Sequence, residues 1–473
     1  MKDIHTFRSH EFQSNTMDPP ESLSQRLAKY CLDLSLGNLS NQVVTHAKHL
    51  LLDLVGAALA GVDTPEARAA CRAIKAMEPG DGVCTIWGTS QYASPASAAL
   101  VNGVAAHARE LDDFGGVDHS GAVVIPVLLA VAEARQPLSG KRFLEAMIVG
   151  YEVERRILDA AGGYRAHNHV DGWHSTGTWG SFTAAAACAR ALGLNQRQTA
   201  WTLGLAGSFT GGTWAFAESG GMSKRYHAGR AAETGVICAF LARSGFSGPT
   251  RIFEAQWGGF FETYCRASHC PDSLLRHSGE EPAILQSGIK PYAACRDIHS
   301  TLHVVLEAKQ NYGLVPEDIV KVTVRCIPEM KQMVGKTTFL KTRLEAQLSL
   351  PYSVGVALVA GRAFLSEYEK PFLLNPQVRR LVERVEVIAD PELPFDSEPY
   401  ITIVTTDGGV VKGHVDHAIG APQNPLTSHS IMKKFEALAS RIFPMRRVQT
   451  LKEKILLSET LADMRAVTEL LRI

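Results

Sequence analysis

The chain has 473 residues, enough for two or three domains rather than one small one. Apolar residues make up 45%, charged residues 20%, and 48 basic side chains balance 48 acidic ones. That is an ordinary globular composition without an electrostatic footprint for nucleic acid or an anionic membrane, so any positive potential belongs to a local cleft and favours small anions as partners.

Residues 1–22 are polar, lack the apolar core of a secretion signal and are expected to be disordered. No uninterrupted apolar run is read as long enough to span a membrane; the stretch 121–134 is short and contains Pro126. The nine cysteines are odd in number and include no CxxC pair, which argues against a disulfide framework and a structural zinc site. Cys188 and Cys238 lie in apolar helical contexts and read as buried thiols, consistent with a reducing cytoplasm.

Apolar residues then recur at spacings of three and four over residues 22–30 and 43–60, and alanine- and leucine-rich helical stretches follow at 121–134, 141–157, 176–192, 199–208 and 229–244. Gly61, Gly193 and Gly245 stand where helices would stop. After about residue 285 the period changes to two. Residues 319–327, 381–388, 400–406 and 410–415 read as strands, the last two joined at Asp407-Gly408-Gly409, with a helix at 346–363 between the first pair. The expected fold is mainly α: a large all-helical domain (23–285), a smaller inserted α+β lid domain (286–425), and a helical return to the first domain (426–473).

Four clusters carry candidate chemistry. The acidic stretch 110–121 packs Glu110, Asp112, Asp113, Asp118 and His119 among three glycines, ahead of an apolar helix. Carboxylates crowded beside a buried element repel one another unless cations or a ligand compensate. His167, His169, Asp171 and His174 precede Ser-Thr-Gly-Thr, where a helix opening would offer backbone N–H groups to an anion. Lys224, Arg225, His227 and Arg230 follow a Gly-Gly pair, and Lys290, Arg296 and His299 sit where the period changes. A cleft lined by Lys224, Arg225, Lys290 and Arg296 would bind two or three carboxylates, and histidines beside it would move protons. There is no GxGxxG, P-loop or GxSxG elbow. His167, His169 and His174 keep a metal-dependent hydrolase open, although they lack the spacing of HExxH, and a non-catalytic polycarboxylate sensor is a third class.

The chain resembles the MmgE/PrpD family of polycarboxylate dehydratases, decarboxylases and epimerases. The resemblance rests on segments 102–113, 119–126, 150–153, 172–180, 220–225, 290–299 and 349–352, in that order and spacing. It implies a helical domain with an α+β lid, a cleft between them, no cofactor or metal, and a homodimer through the helical domain. Carried over residue by residue, it makes His119, Asp112, Asp113, His174, Lys224 and Tyr352 catalytic candidates. His119 would transfer protons, Asp112 or Asp113 would orient or charge it, and Tyr352 would hydrogen-bond a carboxylate or relay a proton. Lys224 and Lys290 would bind carboxylates, with Arg225, Arg296 and His299 as further substrate-binding candidates. The expected activity is a lyase reaction on a di- or tricarboxylate such as 2-methylcitrate or cis-aconitate, with epimerisation of an iminodisuccinate-like dicarboxylate as the alternative. The chain departs from the family pattern at Glu110, where many members carry Asp, and at Phe114, where many carry Thr. A histidine stands near the position of Cys295 in some members.

Overall fold

Several helices begin where the sequence supplies caps. Ser22, Ser40, Thr64, Ser94, Ser139 and Asn195 each accept the backbone N–H of the third residue beyond, which satisfies one of the donors a helix start leaves free. Pro65 and Pro95 occupy first-turn positions, where a missing N–H costs nothing. The structure is a computed structural model describing residues 21–473 except 81, 116–117, 135–136, 276–280, 337–339 and 341. The segment expected to be disordered therefore lies, save its last two residues, outside the described residues.

The fold is mainly helical with a small mixed sheet in its C-terminal region. Helices Asn41–Gly61, Pro95–His107, Ser120–Ala134, Gly140–Ala160, Gly180–Leu192 and Ser223–Arg243 pack around one apolar core. Asn41–Gly61 is long and apolar enough to cross a membrane by length and composition alone, although Lys48 and Asp53 interrupt its apolar run. Most of it is buried inside the core, as a central helix of a packed bundle would be. Ser428–Ala439 lies along this helix, and Ile431, Phe435, Val448 and Leu451 join the same core.

A second core is built on the strand Ile319–Cys326. This strand pairs parallel with Val385–Ala389 and antiparallel with Tyr400–Thr405, which pairs in turn with Val410–Gly413. Gly408, at φ +83°, makes the turn of that hairpin. Leu381 and Val382, expected at a strand start, instead close the helix Pro376–Val382, which Asn375 caps; the strand begins only at Val385. The helix expected at 346–363 is two, Arg343–Gln347 and Leu350–Ala360, because Ser349 caps a new start. Gly61 is not a stop but the last helical residue: a Cβ there would lie 1.9 Å from the Ala105 carbonyl oxygen. Gly193, at φ +71°, does end its helix.

Candidate active site

Two helices fix the first half of the site. Pro95–His107 crosses Ser223–Arg243 so closely that a Cβ on Gly229 would lie 2.4 Å from the Leu100 carbonyl, and one on Gly103 3.0 Å from Gly229 Cα. The crossing sets the start of the second helix, with Lys224 and Arg225, beside the end of the first, where the chain runs into Arg109–Asp113. Two cations in a helix's first turn oppose its dipole and need an anion nearby. A short ladder supplies the other half. Phe114–Gly115 pairs antiparallel with Ser287–Gly288, which brings Lys290 over the acidic loop.

Glu110 is the anion. Its carboxylate accepts from Lys224 Nζ and Arg225 Nη1 at Oε1 and from Lys290 Nζ at Oε2, 3.1 Å away. Glu110, Arg225 and Lys290 have no solvent exposure and Lys224 has 3%. Burial works against the Glu110 charge, but Lys224, Arg225 and Lys290 outweigh it and hold the carboxyl well below the usual range. Burial likewise opposes the Lys290 ammonium, and Glu110 with Asp112 raises it above the ordinary lysine value. Arg225 Nε and Nη2 are buried without a partner among the described residues, and buried donors of this kind call for an acceptor.

Beside this cluster Asp112 Oδ2 takes two histidines, His107 Nδ1 at 2.7 Å and His119 Nδ1 at 2.9 Å. Their fates differ. Burial pulls His107 down to about 3, so it is a neutral ring. Burial also opposes charge on His119, but the Asp112 carboxylate and its hydrogen bond prevail and raise it. Asp112 itself is held well below the carboxylate range, against its burial, by His107, His119 and Lys290. Asp113 goes the other way: burial and the Asp112 charge lift it to about 7. It accepts from Tyr151 Oη at 2.8 Å and from the Gly121 N–H at 3.2 Å. Only glycine fits at 121, where a Cβ would meet Asp113 Oδ1 at 2.2 Å. Asp118 accepts from Ser175 Oγ and, at 2.8 Å, from Thr176 Oγ1, tying the acidic loop to the segment after His174.

The models for the MmgE/PrpD N-terminal and C-terminal domains match residues 25–270 and 292–459. The chain belongs to the MmgE/PrpD family. Among its relatives are the cis-aconitate decarboxylase-like protein oryM of Aspergillus oryzae, 29% identical over 96% of this chain and 97% of that one, and the human cis-aconitate decarboxylase, 29% identical over 96% and 95%. The 2-methylcitrate dehydratase of Salmonella typhimurium is 24% identical over 68% of each chain. These MmgE/PrpD relatives are lyases.

The MmgE/PrpD motifs quoted from the sequence do not all converge. Asp112, Asp113, His119, Lys224, Arg225 and Lys290 gather around Glu110. His174 is buried close by, with its Nδ1 3.0 Å from His227 Nδ1. Burial, His227 and Lys224 hold it well below its ordinary value, so it is neutral. The helix it opens, Ser175–Thr178, is a single turn whose Ser175 N–H is taken by Asn168 Oδ1. Arg296 is engaged by both carboxylate oxygens of Glu398. His299 is buried, its Nε2 3.1 Å from the Ala294 carbonyl. Tyr352 sits in the second core and donates to the Glu367 carbonyl at 2.6 Å. These three are placed as packing and tethering groups outside the Glu110 cluster.

The histidines weighed for a metal are also separated: His167 bonds Thr178, and His169 packs between Tyr164 and Phe395. Among the described residues one other set, His107, Asp112 and His119, brings three potential ligand atoms within 4.8 Å of one another. Only Nδ1 of each ring is engaged by Asp112; His107 Nε2 is buried without a partner among the described residues. Sequence reasoning placed Glu110 in the acidic cluster without giving it a role and missed His107, which lies in the segment that carried the resemblance; the crowding of carboxylates after a lone histidine was the available signal.

Proposed function

We propose that this chain is a decarboxylase of an unsaturated polycarboxylate of the cis-aconitate type. The observation that carries the reading is the sealed cluster of three cations on one carboxylate next to His119, whose ring is held by Asp112. Lys224, Arg225 and Lys290 carry three positive charges and Glu110 one negative, which leaves two for a ligand's carboxylates; the unpartnered Arg225 donors point to the same acceptor. His119, with its raised pKa, is a proton donor near neutral pH. In such a substrate a carboxylate sits one carbon from a double bond. Its C–C bond breaks, the bonding pair becomes a new double bond, the old one takes a proton from His119 at its far carbon, and CO2 leaves.

Relatives bearing the decarboxylase name over nearly their full length support this choice over dehydration. The test is to incubate metal-chelated protein with cis-aconitate, 2-methylcitrate, citrate and iminodisuccinate and follow each by proton NMR. CO2 loss from the unsaturated acid, absent in Lys224→Ala, is the expected result. Loss of water would name a dehydratase, and isotope exchange without elimination an epimerase. Two expectations from the sequence belong to the proposal as well. Trp257, 97% exposed, and Phe246 give the helical domain apolar surface for a second copy, and sedimentation would then report twice 51.3 kDa. Nine free cysteines suit a reducing cytoplasm.

A further inference from the structure

The loop Arg109–Asp113 bears the carboxylates of the site yet has little regular structure of its own. Glu110 stands at φ +52°, where a residue with a Cβ is uncommon. Such a backbone is strained and persists only where its surroundings over-determine it. Here the restraint comes from distant segments. Gln347, buried on the helix Arg343–Gln347, donates Nε2 to the Arg109 carbonyl at 2.8 Å and to the Ala293 carbonyl at 2.9 Å. Lys434, buried on Ser428–Ala439, donates Nζ to the Leu111 carbonyl at 2.8 Å and pairs with Asp53 Oδ1 at 2.6 Å. The two carbonyls held are those on either side of Glu110.

A buried ion pair is weak evidence of stabilisation in itself. Burial outweighs attraction at both ends here, lowering Lys434 and raising Asp53 to about 6. The pair delivers an ammonium to the carbonyl of Leu111, the one residue between Glu110 and Asp112. Gln347 in turn reaches Ala293, three residues beyond Lys290, so one amide registers the loop against the segment that brings in the third cation.

We propose that Lys434 and Gln347 are positioning residues. By gripping the carbonyls that flank Glu110 they fix its left-handed backbone, and so set Glu110 on Lys224, Arg225 and Lys290 and Asp112 on the two histidines. The proposal rests on the lyase reading for its kinetic consequences, but its structural consequence can be measured without a substrate.

Four variants decide it. Lys434→Met and Gln347→Leu remove the donors, Lys434→Arg keeps one, and Asp53→Asn removes the ion-pair partner while leaving the Lys434–Leu111 contact. Hydrogen–deuterium exchange of peptides covering 108–115 should rise in K434M and Q347L, with the strands of the C-terminal sheet unchanged. With the substrate turned over, both should lose about 10- to 100-fold in kcat with KM within about threefold. K434R should recover most of that loss, and D53N, though less stable, should keep kcat within about threefold. Wild-type loop protection or kcat in K434M and Q347L would overturn the proposal. So would equal losses in D53N and K434M, since a plain structural pair predicts that. If no carboxylate in the panel reacts, the lyase reading falls, and the exchange data alone still decide for or against the positioning role.

Discussion

At the scale of single residues, the account turns on the different consequences of breaking one buried cluster from either side. Removing the carboxylate, as in Glu110→Gln, leaves three buried cations without their anion, and breaking a buried pair in this way costs about 3–5 kcal/mol. Removing one cation, as in Lys224→Met, leaves Glu110 with two partners, so urea unfolding should show the smaller stability loss while turnover is abolished. A K224M variant that unfolds more easily than E110Q would contradict the assignment. Asp113 gives a second prediction. Its proton is held with a pKa of about 7 in the fold against 3.8 for an ordinary aspartate, so across that window the folded state binds more protons than the unfolded. Stability from this group therefore falls as pH rises from about 4 to about 7 and is level above, by up to about 1.4 kcal/mol per pH unit. Comparing Asp113→Asn with wild type at pH 5, 6, 7 and 8 isolates it; a difference between the two that stays constant from pH 5 to 7 would refute the assignment.

At the scale of elements, the site depends on how closely two helices cross. Gly229→Ala would drive a Cβ against the Leu100 carbonyl, separating Ser223–Arg243 from Pro95–His107. Overpacking of this kind costs about 1–3 kcal/mol, and because Lys224 and Arg225 lie just upstream, activity should fall further than stability. Gly80→Ala, with nothing within 4 Å of its Cβ, is the control and should change neither; calorimetry and the CO2 assay read both. The same crossing explains what was legible in the sequence. Helical and strand periods record local burial, so several helices of the core and the strand Ile319–Cys326 could be read from spacing, while Pro65–Met77 and Pro95–His107 were not. The helix expected from Gly229 begins six residues earlier, at Ser223, because Lys224 and Arg225 break the apolar pattern; their tolerance there comes from Glu110, which is 114 residues away. For the same reason the spacing does not reveal that Arg296 pairs with Glu398 or that Tyr352 donates to the Glu367 carbonyl.

For the whole molecule, the two cores meet around the site and seal it. Arg109 bridges Asp63 to Glu369 of the C-terminal part, and Arg343 pairs with Glu66 at 2.9 Å. Described cavities of about 560, 410 and 550 Å³ lie elsewhere, along Pro65–Met77, beside His46 and along His299–Tyr312. Glu110, Arg225 and Lys290 are fully buried, so a substrate must uncover them, and separation of the two parts is the expected route. A crosslink between cysteines placed at 66 and 343 should therefore suppress turnover and its reduction should restore it; undiminished activity in the crosslinked protein would show that access does not need opening. The central claim is that His119 hands a proton to carbon as CO2 leaves a bound polycarboxylate. The most direct measurement is the reaction of cis-aconitate in D2O, read by NMR, with His119→Asn alongside. The account predicts one solvent deuteron on the former alkene carbon for each CO2 released, and a rate lower by about 10²–10⁴ in the variant. CO2 release at the wild-type rate in His119→Asn, or a folded wild-type protein that releases none, would contradict it.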